Sequence, residues 1–186
     1  ANSFEDALKI ESRDADTLNN YGVFLCRQEK YQEAETQILK AIAVPSYLLV
    51  SQSYENLALC HIKAKKFDKA EDAFDKAILH NPSSANVYLQ MMQLQYAKGD
   101  YKAGIRFLKK YEKTTRRFSP EALALAFKLY EKQRQIGTAK NYGAMLVKMF
   151  PWSFESKQYL LNGLDRIDAD QMADDDEIGQ VEFKHD

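Results

Sequence analysis

The 186-residue chain has little of what metal sites, nucleotide sites and catalytic centres are built from: three histidines, two cysteines and seven glycines. His61, His80 and His185 share no metal-ligand spacing with one another or with Cys26 and Cys60, so no zinc-type motif is encoded. The glycines are scattered and form no phosphate-cradling loop. No convergent set of titratable groups stands out, and the expectation is a protein that is not an enzyme and carries no cofactor. No run of about 18 apolar residues exists that would cross a bilayer as a helix, and no basic-plus-apolar signal segment opens the chain.

What the chain does have is charge, distributed unevenly. Residues 165–186 hold nine Asp or Glu against Arg166 and Lys184, which leaves residues 1–164 at about +6 within a formal net of −1. A nucleic-acid binder needs a dense basic stripe interleaved with aromatics. The nearest stretch, Lys98 to Arg117, has its cations at helix-surface spacing and reads as a solvated face, so no nucleic-acid partner is expected. The acidic run Asp174 to Glu177 reads as a solvated tail and not as a cation site.

The chain also repeats itself. Ala34, Ala70, Gly104 and Ala139 are 36, 34 and 35 residues apart, and three residues before each stands Tyr31, Phe67, Tyr101 or Ile136. Twelve residues before each small residue come Gly22, Ala58, Met92 and Phe127, and four after come Ile38, Phe74, Leu108 and Gly143. Pro82 and Pro151 close two of the units at one shared offset. The apolar positions recur at three and four residues, the helical period, over two segments of about a dozen per unit. A period near 34 with this pattern resembles the tetratricopeptide repeat, a helix-turn-helix unit.

One such pair cannot bury its apolar faces alone, so neighbouring pairs stack. The expectation is an all-α, right-handed superhelical solenoid with units at 15–48, 51–84, 85–118 and a divergent 120–152. A capping helix at 153–164, with Ser153 as its N-cap, and an acidic tail at 165–186 complete it. Phe4, Ala7, Leu8 and Ile10 continue the frame backward, so residues 1–14 read as the second helix of a preceding repeat whose first half lies upstream. In the divergent unit Gly143 and Phe127 exchange large for small, which predicts irregular packing there. His61 falls on a packing position and reads as structural, and Trp152 reads as helix-junction packing.

In this frame the groove-lining positions are the second, fifth, ninth, twelfth and thirteenth of each unit. They are Asp16, Asn19, Val23, Cys26 and Arg27; Gln52, Glu55, Leu59, Ile62 and Lys63; and Asn86, Leu89, Gln93, Tyr96 and Ala97. The mixture of polar and apolar groups suits an extended or helical peptide, so the expected partner is a protein. Asp16 and Glu55 argue against an acidic chaperone tail as that partner. Cys26 and Cys60 lie on consecutive first helices, close enough either to form a disulfide or to pack as two small apolar groups, and the spacing leaves both open.

A narrower resemblance rests on "NNYGVFLC" (19–26), the insert "VPSY" (44–47), the second cysteine in "NLALC", "LKKYEKT" (108–114) and "MFPWS" (149–153). Together they look like the PilF/PilW family, tetratricopeptide lipoproteins of type IV pilus biogenesis often called pilotins, over residues 4–161. The resemblance implies a lipid anchor upstream of residue 1 in the Gram-negative outer membrane, and a periplasmic location. It further implies a role in assembling or localising the outer-membrane secretin or in stabilising the pilus, and a Cys26–Cys60 disulfide. About six repeats are usual in that family, so further repeat sequence is expected upstream. A cytoplasmic tetratricopeptide adaptor, or such a segment of a larger protein, is the alternative. The tail is outside the resemblance; its segment "EIGQVEF", with Ile178, Val181 and Phe183, could dock in the groove, or the tail could be a solubilising terminus.

Overall fold

The computed structural model describes residues 2–162, which form nine helices: α1 (Asn2–Arg27), α2 (Tyr31–Ile42), α3 (Val50–Lys63), α4 (Phe67–His80), α5 (Ala85–Lys98), α6 (Tyr101–Thr114), α7 (Pro120–Lys132), α8 (Ile136–Met149) and α9 (Phe154–Asn162). The fold is all-α, with no strand among the described residues. The acidic tail at 165–186 with its EIGQVEF segment, and the last two residues expected in the capping helix, lie outside the described residues.

Short-range chemistry sets the helix starts. Ser84, Asp100, Ser119 and Ser153 each accept a hydrogen bond from the backbone N–H three residues on, at 3.4, 3.1, 3.1 and 3.1 Å. Each satisfies a donor that has no partner inside its helix. Pro120, in the first turn of α7, lacks only an N–H that the helix would leave unused.

The turn inside each pair is one structure used four times. Glu29, Lys65, Gly99 and Arg134 all take positive φ, at 61, 58, 78 and 57°. The next residue's N–H then bonds back five residues, Lys30 to Leu25 O at 2.9 Å, Lys66 to His61 O at 2.8 Å, Asp100 to Gln95 O at 2.9 Å and Gln135 to Tyr130 O at 2.9 Å. This is the left-handed helix cap that reuses the last carbonyls.

The chain divides into two compact units, the first closing at Pro82 and the second beginning at Ser83. In the first, α1 pairs with α2 and α3 with α4, and α2 and α1 both pack on α3. Gly22 lets α1 approach α2 closely: a Cβ there would strike Ile38 Cγ1 at 2.5 Å and lie 3.1 Å from Ala34 O. The 44–47 insert turns Tyr47 inward onto Ala15 and Ala41, with Leu18, Val44 and Val50 around them. One expectation is corrected here. Residues 2–14 are not a separate helix, because α1 runs unbroken to Arg27. The stretch "IESRDAD" that crosses the expected break holds no glycine or proline to stop a helix.

In the second unit, α5 pairs with α6 and α7 with α8, while α9 packs on both α7 and α8. Gly104 of α6 admits Leu129 of α7 into the space its own Cβ would fill. The divergent pair has regular helices of 13 and 14 residues. Its large-for-small exchange is completed by a third residue, since the Tyr159 ring of α9 occupies the place over Gly143 and meets Phe127 edge-on at 5.0 Å. Trp152 is also corrected: it is 87% exposed in the α8–α9 turn and packs no junction. The polar edge of α8 is tied down as well, with the Tyr142 hydroxyl donating to Glu112 Oε1 at 2.5 Å while its ring stacks between Phe118 and Tyr130. Burial, and then the bond to Glu112, push the Tyr142 phenol well above its usual range.

Candidate functional site

In the first unit the site is built on the facing first helices α1 and α3. Cys26 and Cys60 are paired as a disulfide, with Cα atoms 5.9 Å apart and both residues buried. Seven residues before Cys26, Asn19 Oδ1 accepts a hydrogen bond from Ser53 Oγ at 2.8 Å, which joins the two helices a second time. Ser53 has one proton, and it is spent on Asn19. The Tyr47 hydroxyl, 3.1 Å away, is therefore the donor to Ser53 Oγ, so the 44–47 insert, α1 and α3 meet in one buried polar relay.

The positions assigned to the groove separate by burial. Asn19, Val23, Cys26, Glu55, Leu59 and Ile62 are buried in the first unit, as are Leu89 and Tyr96 in the second. These side chains hold neighbouring helices together. Asp16, Gln52, Lys63, Asn86 and Ala97 are half-buried, and Arg27 and Gln93 are exposed. The assigned positions open to a partner are thus more polar than the pattern suggested, because its apolar members are buried.

Two side-chain acceptors on first helices stand out. Asp16 Oδ1 in the first unit and Gln90 Oε1 in the second are shielded from water and find no donor among the described residues. Both residues are half-buried, while the two oxygens themselves are closed to solvent. Nothing in the residue types flags this; it follows from how each helix is rotated.

His61 is buried on α3, and burial holds its imidazole below the ordinary value, with Lys69 and Lys66 acting in the same sense and Glu35 opposing. Among the described residues no group of three or more His, Cys, Asp or Glu is arranged to hold a metal ion. The cations between Lys98 and Arg117 are all exposed.

Residues 13–78 and 61–129 each match a model of the tetratricopeptide repeat family, together more than half of the chain. The chain belongs to that family, as four helix pairs with a shared turn already argue. Within it, the chain is homologous to the type IV pilus assembly protein PilF of Pseudomonas aeruginosa, to which it is 30% identical over 156 residues. That match covers 84% of this chain and 62% of the relative, so the chain spans about three fifths of PilF's length. The solved Pseudomonas aeruginosa PilF structure superposes with a TM-score of 0.66 at 29% identity, covering 86% of this chain and 72% of that one. The structure of PilW, described as a widely conserved type IV pilus biogenesis factor, gives 0.73 at 27% identity, covering 86% and 73%. These likenesses support a tetratricopeptide-repeat protein of type IV pilus biogenesis.

Proposed function

We propose that the chain is a non-catalytic scaffold of type IV pilus biogenesis. In this reading it works in the periplasm, held to the outer membrane by a lipid on sequence upstream of residue 1, and helps a secretin or another pilus component to assemble, reach its place or persist. The observation that carries the reading is the buried Cys26–Cys60 bridge in a chain homologous to PilF. Structural disulfides belong to oxidising compartments such as the bacterial periplasm, and a cytosolic adaptor would keep these thiols reduced.

Polar groups on the first helices of each unit, taken separately, supply the means. In the first unit Arg27 is exposed and Gln52 half-exposed, and in the second unit Gln93 is exposed and Asn86 half-exposed.

The test is deletion of the gene in its source strain and complementation with the wild type, with Arg27→Glu/Gln93→Glu, and with Cys26→Ser/Cys60→Ser. Sheared surface pili, detergent-resistant secretin multimers and the membrane fraction holding the chain are read together. The expected result is loss of pili or multimers on deletion, rescue by the wild type, poor rescue by the Arg27/Gln93 variant, and an acylated chain in the outer membrane. An unmodified cytosolic chain with unchanged pili would overturn the reading in favour of a cytoplasmic adaptor.

A further inference from the structure

Helix α6 carries its charge on one face. Lys102, Arg106, Lys109, Lys110 and Lys113 are linked by steps of three and four residues, which at 3.6 residues per turn places all five within an arc of about 100°. All five are exposed, while Ala103, Gly104, Leu108 and Tyr111 turn inward and are buried. Lys110 also lies over the Phe107 ring, with Nζ 5.5 Å from its centroid. Among the described residues none of the five forms an ion pair. Arg116 and Arg117 follow, exposed, in the connection to α7.

The carboxylates nearest in sequence are already engaged. Between Lys98 and Arg117 they are Asp100 and Glu112. Asp100 accepts from the Ala103 N–H at the helix start, and Glu112 accepts from the Tyr142 hydroxyl of α8. Nor is the stripe the general character of a second helix. In α2, Glu33 and Glu35 stand against Lys40, a formal −1, and α4 has four acidic residues against two lysines, a formal −2. Helix α6 is +4, its five cations less Glu112.

The chemistry of the face selects among anionic partners. An acidic peptide takes most of its affinity from apolar or aromatic anchors, and no large apolar side chain of α6 is exposed. A single-stranded nucleic acid stacks its bases on open rings, whereas Tyr101 and Phe107 are half-buried and Tyr111 is buried. A layer of phosphates needs neither anchor nor ring. It is met by several long cationic side chains reaching out from one polar face, each adding to the attraction.

We propose that the face of α6 from Lys102 to Lys113 lies against an anionic phospholipid surface. The contact is peripheral, since no helix among the described residues is long and apolar enough to cross a membrane. It is also reversible, because attraction between exposed charges fades within a Debye length. The inference rests on α6 alone and not on the lipid anchor proposed above, so the two stand or fall separately.

The test is co-sedimentation of the full chain with vesicles of phosphatidylcholine mixed with phosphatidylglycerol, and with vesicles of phosphatidylcholine alone. Binding is expected to the mixed vesicles only, and to fall as salt is raised. Arg106→Gln/Lys109→Gln should weaken it at least tenfold. Lys30→Gln/Lys40→Gln, which removes the same charge from exposed positions in the first unit, should leave it within twofold. Circular dichroism verifies that both variants fold. Absence of binding to the mixed vesicles overturns the proposal, as does equal binding to phosphatidylcholine alone. Equal weakening by the two variants overturns it too, since net charge and not the α6 face would then be read. So does capture of duplex DNA or poly-glutamate through Arg106 and Lys109 while the mixed vesicles stay bare.

Discussion

Gly22 shows how one absent side chain sets the geometry of a helix pair. A methyl group there has an immovable neighbour, the Ala34 carbonyl at 3.1 Å, as well as the Ile38 side chain. Overpacking of this kind costs about 1–3 kcal/mol, and the better helix propensity of alanine returns at most about 1. Gly22→Ala is therefore expected to lower the midpoint of urea unfolding, and an unchanged midpoint would mean that α1 is free to shift on α2. His61 makes a second residue-scale test through pH. Its folded-state value lies below 6.5 because burial disfavours the imidazolium, so the unfolded chain takes up the proton first as pH falls. Its contribution is whole above pH 6.5, declines as pH drops below that, and levels off beneath the folded value. Urea midpoints at pH 7.5 and 5.5 should differ more for the wild type than for His61→Leu.

At the scale of the element, the turn inside each pair uses the left-handed conformation at Glu29, Lys65, Gly99 and Arg134, and only one of these is glycine. Gly99 has nothing within 4 Å of where a Cβ would stand, so Gly99→Ala isolates the backbone cost. The expected loss is about 1 kcal/mol, measured as a fall in thermal midpoint, and Lys65→Gly should move the other way by a similar or smaller amount. These turns explain what was legible in the sequence and what was not. The small residues Ala34, Ala70, Gly104 and Ala139 are all buried, and Gly104 meets Leu129 where its own Cβ would stand, so residue type disclosed the period and with it the fold. A glutamate, a lysine and an arginine in left-handed turns carry no such mark. The assigned surface was half legible for a related reason. Helical periodicity does not separate burial in a helix pair from burial between neighbouring first helices, and so Asn19, which bonds Ser53 of α3, read as groove. Trp152 misled because a large aromatic beside a proline has the composition of a packed junction, whereas α9 meets α7 and α8 through Tyr159.

For the whole molecule, the disulfide tests whether the repeats act one by one or together. It closes a loop of 34 residues between α1 and α3, both in the first compact unit. On the chain-entropy account such a closure contributes about 4 kcal/mol, nearly all through the unfolded chain. Stability in a repeat protein is close to a sum of repeat and nearest-neighbour terms, so a local loss should remain local. In Cys26→Ser/Cys60→Ser, amide hydrogen exchange is expected to accelerate in α1, α2 and α3 and to stay within twofold of the wild type in α7 and α8. The buried position of both sulfurs adds a kinetic expectation. A reductant can reach the bond only when α1 and α3 part, so reduction of the native wild type should follow the exchange rate of the Cys26 and Cys60 amides as denaturant is raised. If α7 and α8 lose protection in step with α1, the chain unfolds as one cooperative body and the bridge stabilises all of it.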